Sequence, residues 1–404
     1  MGTDNQTAER VPPVDGEDPK PPVLQRASLT RTNLKRFDKI PSKQKRKKPT
    51  ATATATASEA TSSSTTSTET TTTKGSGAKL QANGVLLSYK DDSEGPLDLH
   101  HIQNSLKKES PAPGTLEDFK YYRRSIGIGH PETKTQSVFW SSLAKSCRQP
   151  EYDYNNFFNQ AWDQLDNQLT VDISSAKPDI AEAFEAASFT AIADAADLPE
   201  LFPAGTGTSS SFVMPSFAVE FKNANVEISG ADLQCAYDGA LMVHAAMKAH
   251  EYMYGSSEAA MASFWNKTKA ITVAFNGKVL NIFAHYAAPN PKWKAGAHRV
   301  LFHQYALSET IVTTNLEAFK GGQQLTRNAQ DLGFELNLDL RRQLLEHCEA
   351  RVLADTRAAL AAAESAKSAA LHGPLSPLSN GPEGTTETGS DLGGPAAKKA
   401  RIDA

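Results

Sequence analysis

Every stretch of this chain with a clear apolar period lies between residues 115 and 371, and that confinement limits what can fold. All four tryptophans, Trp140, Trp162, Trp265 and Trp293, fall inside it, as core-building residues should. Residues 1–114 are dominated by Thr, Ser, Ala, Lys and Pro, with a Thr/Ala/Ser tract over 51–73. Such a segment buries too little surface to offset its conformational entropy, so a disordered arm is expected there. After Gly373, residues such as Pro374, Pro377, Gly381, Pro382 and Pro395 interrupt any continuing helix, and 374–404 is expected to be a second disordered tail. What remains is one domain over 115–350 with an Ala-rich helical extension over 351–373, in all about 250 residues.

The 404 residues include 42 Lys and Arg against 46 Asp and Glu, a formal net charge of -4. A uniformly basic nucleic-acid coat is thereby excluded. No run of about 18 apolar residues occurs, and the first residues lack the apolar core of a secretory signal, so no membrane span and no conventional secretion are expected. Cys147, Cys235 and Cys348 are odd in number and far apart, which fits a reducing compartment rather than a disulfide or metal framework.

Periodicity outlines the elements. Helices are expected over 115–126, where Thr115 and Asp118 have capping spacing, over 135–145, and over 154–169, where Phe158, Trp162, Leu165 and Leu169 share a face. Strands are expected over 212–221, over 271–275 and 279–286 around the turn Asn276-Gly277-Lys278, and over 300–305. Further helices are expected over 232–250, 309–319 and 338–371, the last packing through its first half and projecting through its Ala-rich second half. The order points to an α/β (α+β) domain.

Two dense basic clusters sit in the expected disordered ends. Lys45, Arg46, Lys47 and Lys48 close the first; Lys398, Lys399 and Arg401 follow Pro395-Ala396-Ala397 in the second. Importins read such clusters in extended chain, so nuclear localisation is expected. A solvated charge run, or an arm drawn to nucleic acid by counterion release, has the same composition.

One constellation carries chemistry. Asp179 follows Pro178, Glu220 and Lys222 lie two apart near the end of an apolar strand, and Gln234 and Tyr237 follow one turn apart on a helix. Two carboxylates can hold one hard divalent cation, and a lysine two residues from Glu220 projects from the same face of the strand. That set suits metal-dependent phosphodiester hydrolysis. Taken singly, each residue is better read as a turn cap, a solvated strand pair or a helix surface.

In order and spacing, Pro178-Asp179, Glu220-x-Lys222 and Gln234-x-x-Tyr237 resemble the PD-(D/E)XK nuclease superfamily. The words around them, and Arg327-Asn328-Ala329-Gln330-Asp331, are similar to uncharacterised fungal proteins with such a domain. The resemblance covers about residues 115–349 and implies a restriction-endonuclease-like fold, a mixed central sheet flanked by helices. It also implies that Asp179 and Glu220 ligate Mg²⁺ or Mn²⁺, that Lys222 is catalytic and that Gln234 and Tyr237 support it. A further acid is implied from the first core helix, with Glu132, Asp163 and Asp166 as candidates. The 41 positions from Asp179 to Glu220 imply an inserted loop, which costs only ~0.6 kcal/mol per doubling of length.

Nucleic acid and importin are the expected partners. The other reading is a catalytically inactive nuclear binding or regulatory module on the same fold. His244 and His285 have no carboxylate or thiol at ligand spacing and are expected to be packed histidines. Gly239, inside a helix, is expected to mark close packing on the sheet.

Overall fold

The computed structural model describes residues 75–88, 94–109, 114–127, 131–145, 152–162, 169, 171–189, 198–203, 212–292, 294 and 298–371. The nuclear-import candidates Lys45, Arg46, Lys47, Lys48, Lys398, Lys399 and Arg401, the tract over 51–73, and Asp163 and Asp166 lie outside these residues.

In chain order the elements are α1 (Ser76–Ala82), β1 (Val85–Leu86), α2 (Leu99–Leu106), α3 (Leu116–Ser125), α4 (Glu132–Ser142), β2 (Tyr154–Phe158), β3 (Ile180–Glu185), β4 (Phe212–Phe221), α5 (Ser229–Tyr254), α6 (Glu258–Met261), β5 (Ala270–Phe275), β6 (Val279–Pro289), β7 (Val300–Ile311) and α7 (Leu316–Leu371). The strands form one mixed sheet of seven, in the order β1-β7-β6-β5-β4-β3-β2. β4 and β5 are parallel, joined through α5, as are β1 and β7; the remaining pairs are antiparallel.

Alternation along the strands divides the core between two helical layers. Ala181, Ala218 and Ala270 cluster with Tyr237, Ala240 and Leu241 of α5. Ile180, Val219, Phe221, Val273, Phe275 and Ile282 cluster on the other face with Phe119, Tyr122, Val138 and Phe139 of α3 and α4 and with Phe319, Ala329 and Leu332 of α7. β4 is buried along its whole length, as expected of a central strand covered on both faces. α7 approaches so closely that a Cβ on Gly333 would lie 2.7 Å from Phe217 Cβ.

The capping box at Thr115 forms: Asp118 N–H donates to Thr115 Oγ1 at 3.2 Å and Thr115 N–H to Asp118 Oδ2 at 2.8 Å. The Asn276-Gly277-Lys278 turn joins β5 to β6, with Gly277 at φ 89° and the Asn276 side chain accepting from the Lys278 and Val279 amides.

Four expectations need correction. Residues 154–158 are a strand, bracketed by Asp153 and Asn159 at φ 52° and 51°; pairing with β3 overrides the helical spacing of Phe158 and Trp162, and Trp162 is buried in the core instead. Residues 309–311 continue β7, and α7 is one helix of 56 residues from Leu316, running through Gly321 and Gly322. The expected boundary at 114/115 cuts through the folded body, because α1, β1 and α2 bury Leu80, Val85, Ile102 and Leu106. Helix α4 begins at Glu132 rather than Thr135. The second half of α7 is exposed from Glu349 through Ser368, as its alanine-rich composition indicates. Among the described residues no helix is long and apolar enough to cross a membrane.

Candidate active site

Register brings the two carboxylates together. Ile180 pairs with Val219 across the antiparallel β3–β4 ladder, so Asp179, one residue before Ile180, comes opposite Glu220, and both face α5. Asp179 is fixed by its neighbour strand: Phe221 N–H donates to Asp179 Oδ2 at 2.8 Å. The carboxyl groups of Asp179 and Glu220 are close enough to act on each other electrostatically.

Lys222 follows at the strand end. Its backbone N–H still donates to Phe275 O at 3.0 Å, keeping strand geometry, and its Nζ donates to Phe221 O at 2.7 Å. The ammonium therefore stays beside the carboxylates and acts electrostatically on Asp179, Glu220 and Glu132. Glu132, the first residue of α4, is within electrostatic reach of Asp179 as well as Lys222.

A further acid of the cluster, buried like Glu220, was not singled out in the sequence. Asp238 of α5 hydrogen-bonds to Glu220, both are 2% exposed, and Asp238 Oδ2 has no partner. A signal was present: Asp238 lies four residues after Gln234, on the same stripe of the helix. It also precedes Gly239, where a Cβ would overlap the ring of His285. The close helix–sheet approach at Gly239 carries Asp238 down to β4.

Burial controls the charge of this cluster. It pushes Glu220 well up, reinforced by the charges of Asp238 and Asp179 and only partly offset by Lys222. Asp238 is raised to about 7, chiefly by burial. Burial also raises Asp179 and Glu132; for Asp179 the Phe221 amide, Lys222 and Lys177 work against it. Beside the acids, Cys235 is buried with its thiol pushed well up by burial and by Glu220. His285 is a packed histidine bonded to Thr272 Oγ1 at 2.7 Å, held neutral by burial at about 3. His244 is likewise buried, its ring edge-on to Phe302 at 72°.

Gln234 lies on the α5 stripe between Gly230, whose Cβ position is 3.6 Å from the Lys222 side chain, and Asp238. Tyr237 points elsewhere: its ring packs in the core cluster containing Trp162 and Phe212, with its hydroxyl unpartnered. It is brought close enough for the Asp238 charge to raise its pKa, after burial, but not to the carboxylates' open side. Asp331 accepts from Lys145.

Residues 138–331 match the family model described as a domain of unknown function, DUF7924. The DUF7924 match takes in Asp179, Glu220, Lys222, Gln234 and Asp238 and leaves Glu132 outside. No curated protein and no solved structure matches the chain.

The donor set suits a hard cation. Among the described residues no three His, Cys, Asp or Glu side chains form a ready cage, but Mg²⁺ is commonly held by one or two carboxylates plus water and substrate phosphate oxygens. Asp179 and Glu220 would supply the protein's share.

Proposed function

We propose that this is a nuclear protein with a PD-(D/E)XK-like domain that hydrolyses phosphodiester bonds of nucleic acid with Mg²⁺ or Mn²⁺. The observation that supports it is the meeting of Asp179, Glu220 and Lys222 at neighbouring ends of β3 and β4. Asp179 and Glu220 would hold the ion, which when bound supplies Lewis acidity and an acidified water. Asp179 is aimed by the Phe221 amide. Lys222 brings a positive charge to the place where charge develops on the phosphate, in a site where burial strengthens it. Glu132 adds an acid at the rim, and Gln234 lines the α5 side.

The assay is incubation of the full chain with single- and double-stranded DNA and RNA, with metal and with chelator. Metal-dependent cleavage lost in both Glu220→Ala and Lys222→Ala is expected; cleavage that survives both overturns the assignment.

A second reading, a non-catalytic nuclear binding or regulatory module, is favoured by one observation: Glu220 is closed in against Asp238, and Lys222 Nζ is engaged by the Phe221 carbonyl. Binding that persists in chelator, with no cleavage in any metal, selects it. Nuclear import through importin is tested with tagged protein in which Lys45, Arg46, Lys47, Lys48, Lys398, Lys399 and Arg401 are changed to alanine; unchanged nuclear accumulation contradicts it.

A further inference from the structure

We propose that the cleft between α5 and α7 binds a small monocarboxylate, with Lys269 as its ionic partner and Asn337 as its hydrogen-bonding partner. The site stands apart from the carboxylate cluster and does not rest on the nucleic-acid reading. Lys269 immediately precedes β5, and Ser216, on the cavity wall, lies four residues before Glu220 on β4, about 13 Å along the strand.

Two adjoining spaces form the cleft. The outer one, ≈ 50 Å³, lies between Ala246 and His250 of α5 and Leu336 and Leu340 of α7, with Phe264 and Lys269 at its side. The inner one, ≈ 10 Å³, shares Ala246, Lys269, Leu336 and Leu340 and adds Asn337 and Ser216. A water-sized group needs about 10–15 Å³, so the outer space takes about four such groups and the inner about one.

Two polar groups on these walls lack partners. Among the described residues Lys269 Nζ donates to no acceptor; it lies 4.8 Å from the centre of the Phe264 ring. The two acids that act on its charge are engaged elsewhere. Asp98 accepts from the Thr268 N–H at 3.1 Å and from Thr268 Oγ1 at 3.0 Å, and Asp339 accepts from Arg342 at 2.5 Å and from Gln343 at 2.6 Å. Burial pushes the ammonium below the usual lysine value, Lys267 adds to this, and Asp98 and Asp339 offset it only in part. Asn337 is 1% exposed, and neither Nδ2 nor Oδ1 has a partner. The Ser216 hydroxyl, by contrast, is satisfied, donating to Gly333 O at 2.6 Å.

A charge withdrawn from water is ordinarily paired, and a buried amide ordinarily bonded. One small ligand answers both needs if it carries negative charge shared by two oxygens. A carboxylate accepts from the Lys269 ammonium through one oxygen and from Asn337 Nδ2 through the other. The apolar walls at Phe264, Leu336 and Leu340 then suit a short alkyl group better than a third and fourth oxygen, which favours a carboxylate over phosphate.

The test is calorimetric titration of the full chain with acetate, propionate, benzoate and inorganic phosphate at constant ionic strength. Acetate and propionate should saturate one site with a Kd of about 10⁻⁴ to 10⁻³ M, within reach of a ligand this small. Benzoate, too large for the space, and phosphate should bind at least about tenfold more weakly. Lys269→Met should weaken acetate by about tenfold or more. Asn337→Asp keeps the side-chain volume but places an anion beside Lys269, and should abolish acetate binding. Circular dichroism checks that each variant is folded. No saturable acetate binding to the wild-type chain, benzoate or phosphate binding as tightly as acetate, or acetate binding unchanged in either folded variant overturns the proposal.

Discussion

The carboxyl group of Glu220 hydrogen-bonds to that of Asp238 in the closed space between β4 and α5. Two carboxylates can share such a bond only if one keeps a proton. Each folded-state pKa is raised, so the associated stability is fully present below about pH 4 and is lost as pH rises through about 7 and beyond. His285 works in the opposite direction: its depressed pKa makes stability fall as pH drops from about 6.5 toward 3, and it adds nothing above that window. Urea unfolding should therefore show stability declining as pH rises from about 4 toward 7, opposed in part by His285 below about 6.5. Asp238→Asn, which cannot ionise, should flatten that decline; a decline of the same size in the variant contradicts this account of the pair.

Gly239 and His285 mark the closest approach of α5 to the sheet. Gly239→Ala should cost about 1–3 kcal/mol, as overpacking does. His285→Ala in that background should recover part of the loss, a coupling that a double-mutant cycle measures. Strictly additive effects would mean that the glycine is required for another reason.

The first helices belong to the body although their composition suggests an arm. Leu80, Val85 and Leu87 join the core cluster beneath α5, and Ile102 and Leu106 that beneath α7. A chain starting at Thr115 should lose cooperative unfolding, and one starting at Gly75 should keep it. A stop after residue 350 should change stability by about 1 kcal/mol or less, because it removes the Arg351 contact with Tyr252 and otherwise the exposed residues 352–368.

What was legible in the sequence followed from local chemistry. The Thr115 cap, the Asn276-Gly277 turn and the apolar run of β4 each depend on neighbours a few residues away; β3, whose ladder to β4 opposes Asp179 and Glu220, was not expected as a strand. What was not legible depends on distant contacts. β2 carries helical spacing, and only its ladder to β3 makes it a strand. α1, β1 and α2 are too short to show a period alone. Gly321 and Gly322 obscured the continuity of α7, and Asp238 reaches Glu220 only through the close helix–sheet approach at Gly239.

Lys222 separates an electrostatic role from a structural one. It is partly exposed and, among the described residues, its Nζ bonds to a carbonyl one residue away, so Lys222→Met should leave unfolding free energy within about 1 kcal/mol of wild type. Under the proposed function it should lower cleavage by about 10² or more, as loss of a charge-stabilising group does. A loss of activity matched by a loss of folding would assign the lysine to structure instead.

The most direct measurement of the central claim is an anomalous difference map from a crystal grown or soaked in Mn²⁺. The account predicts one peak within about 2–2.5 Å of oxygens of both Asp179 and Glu220, absent in Glu220→Ala. No peak there, or a peak that persists without Glu220, contradicts it.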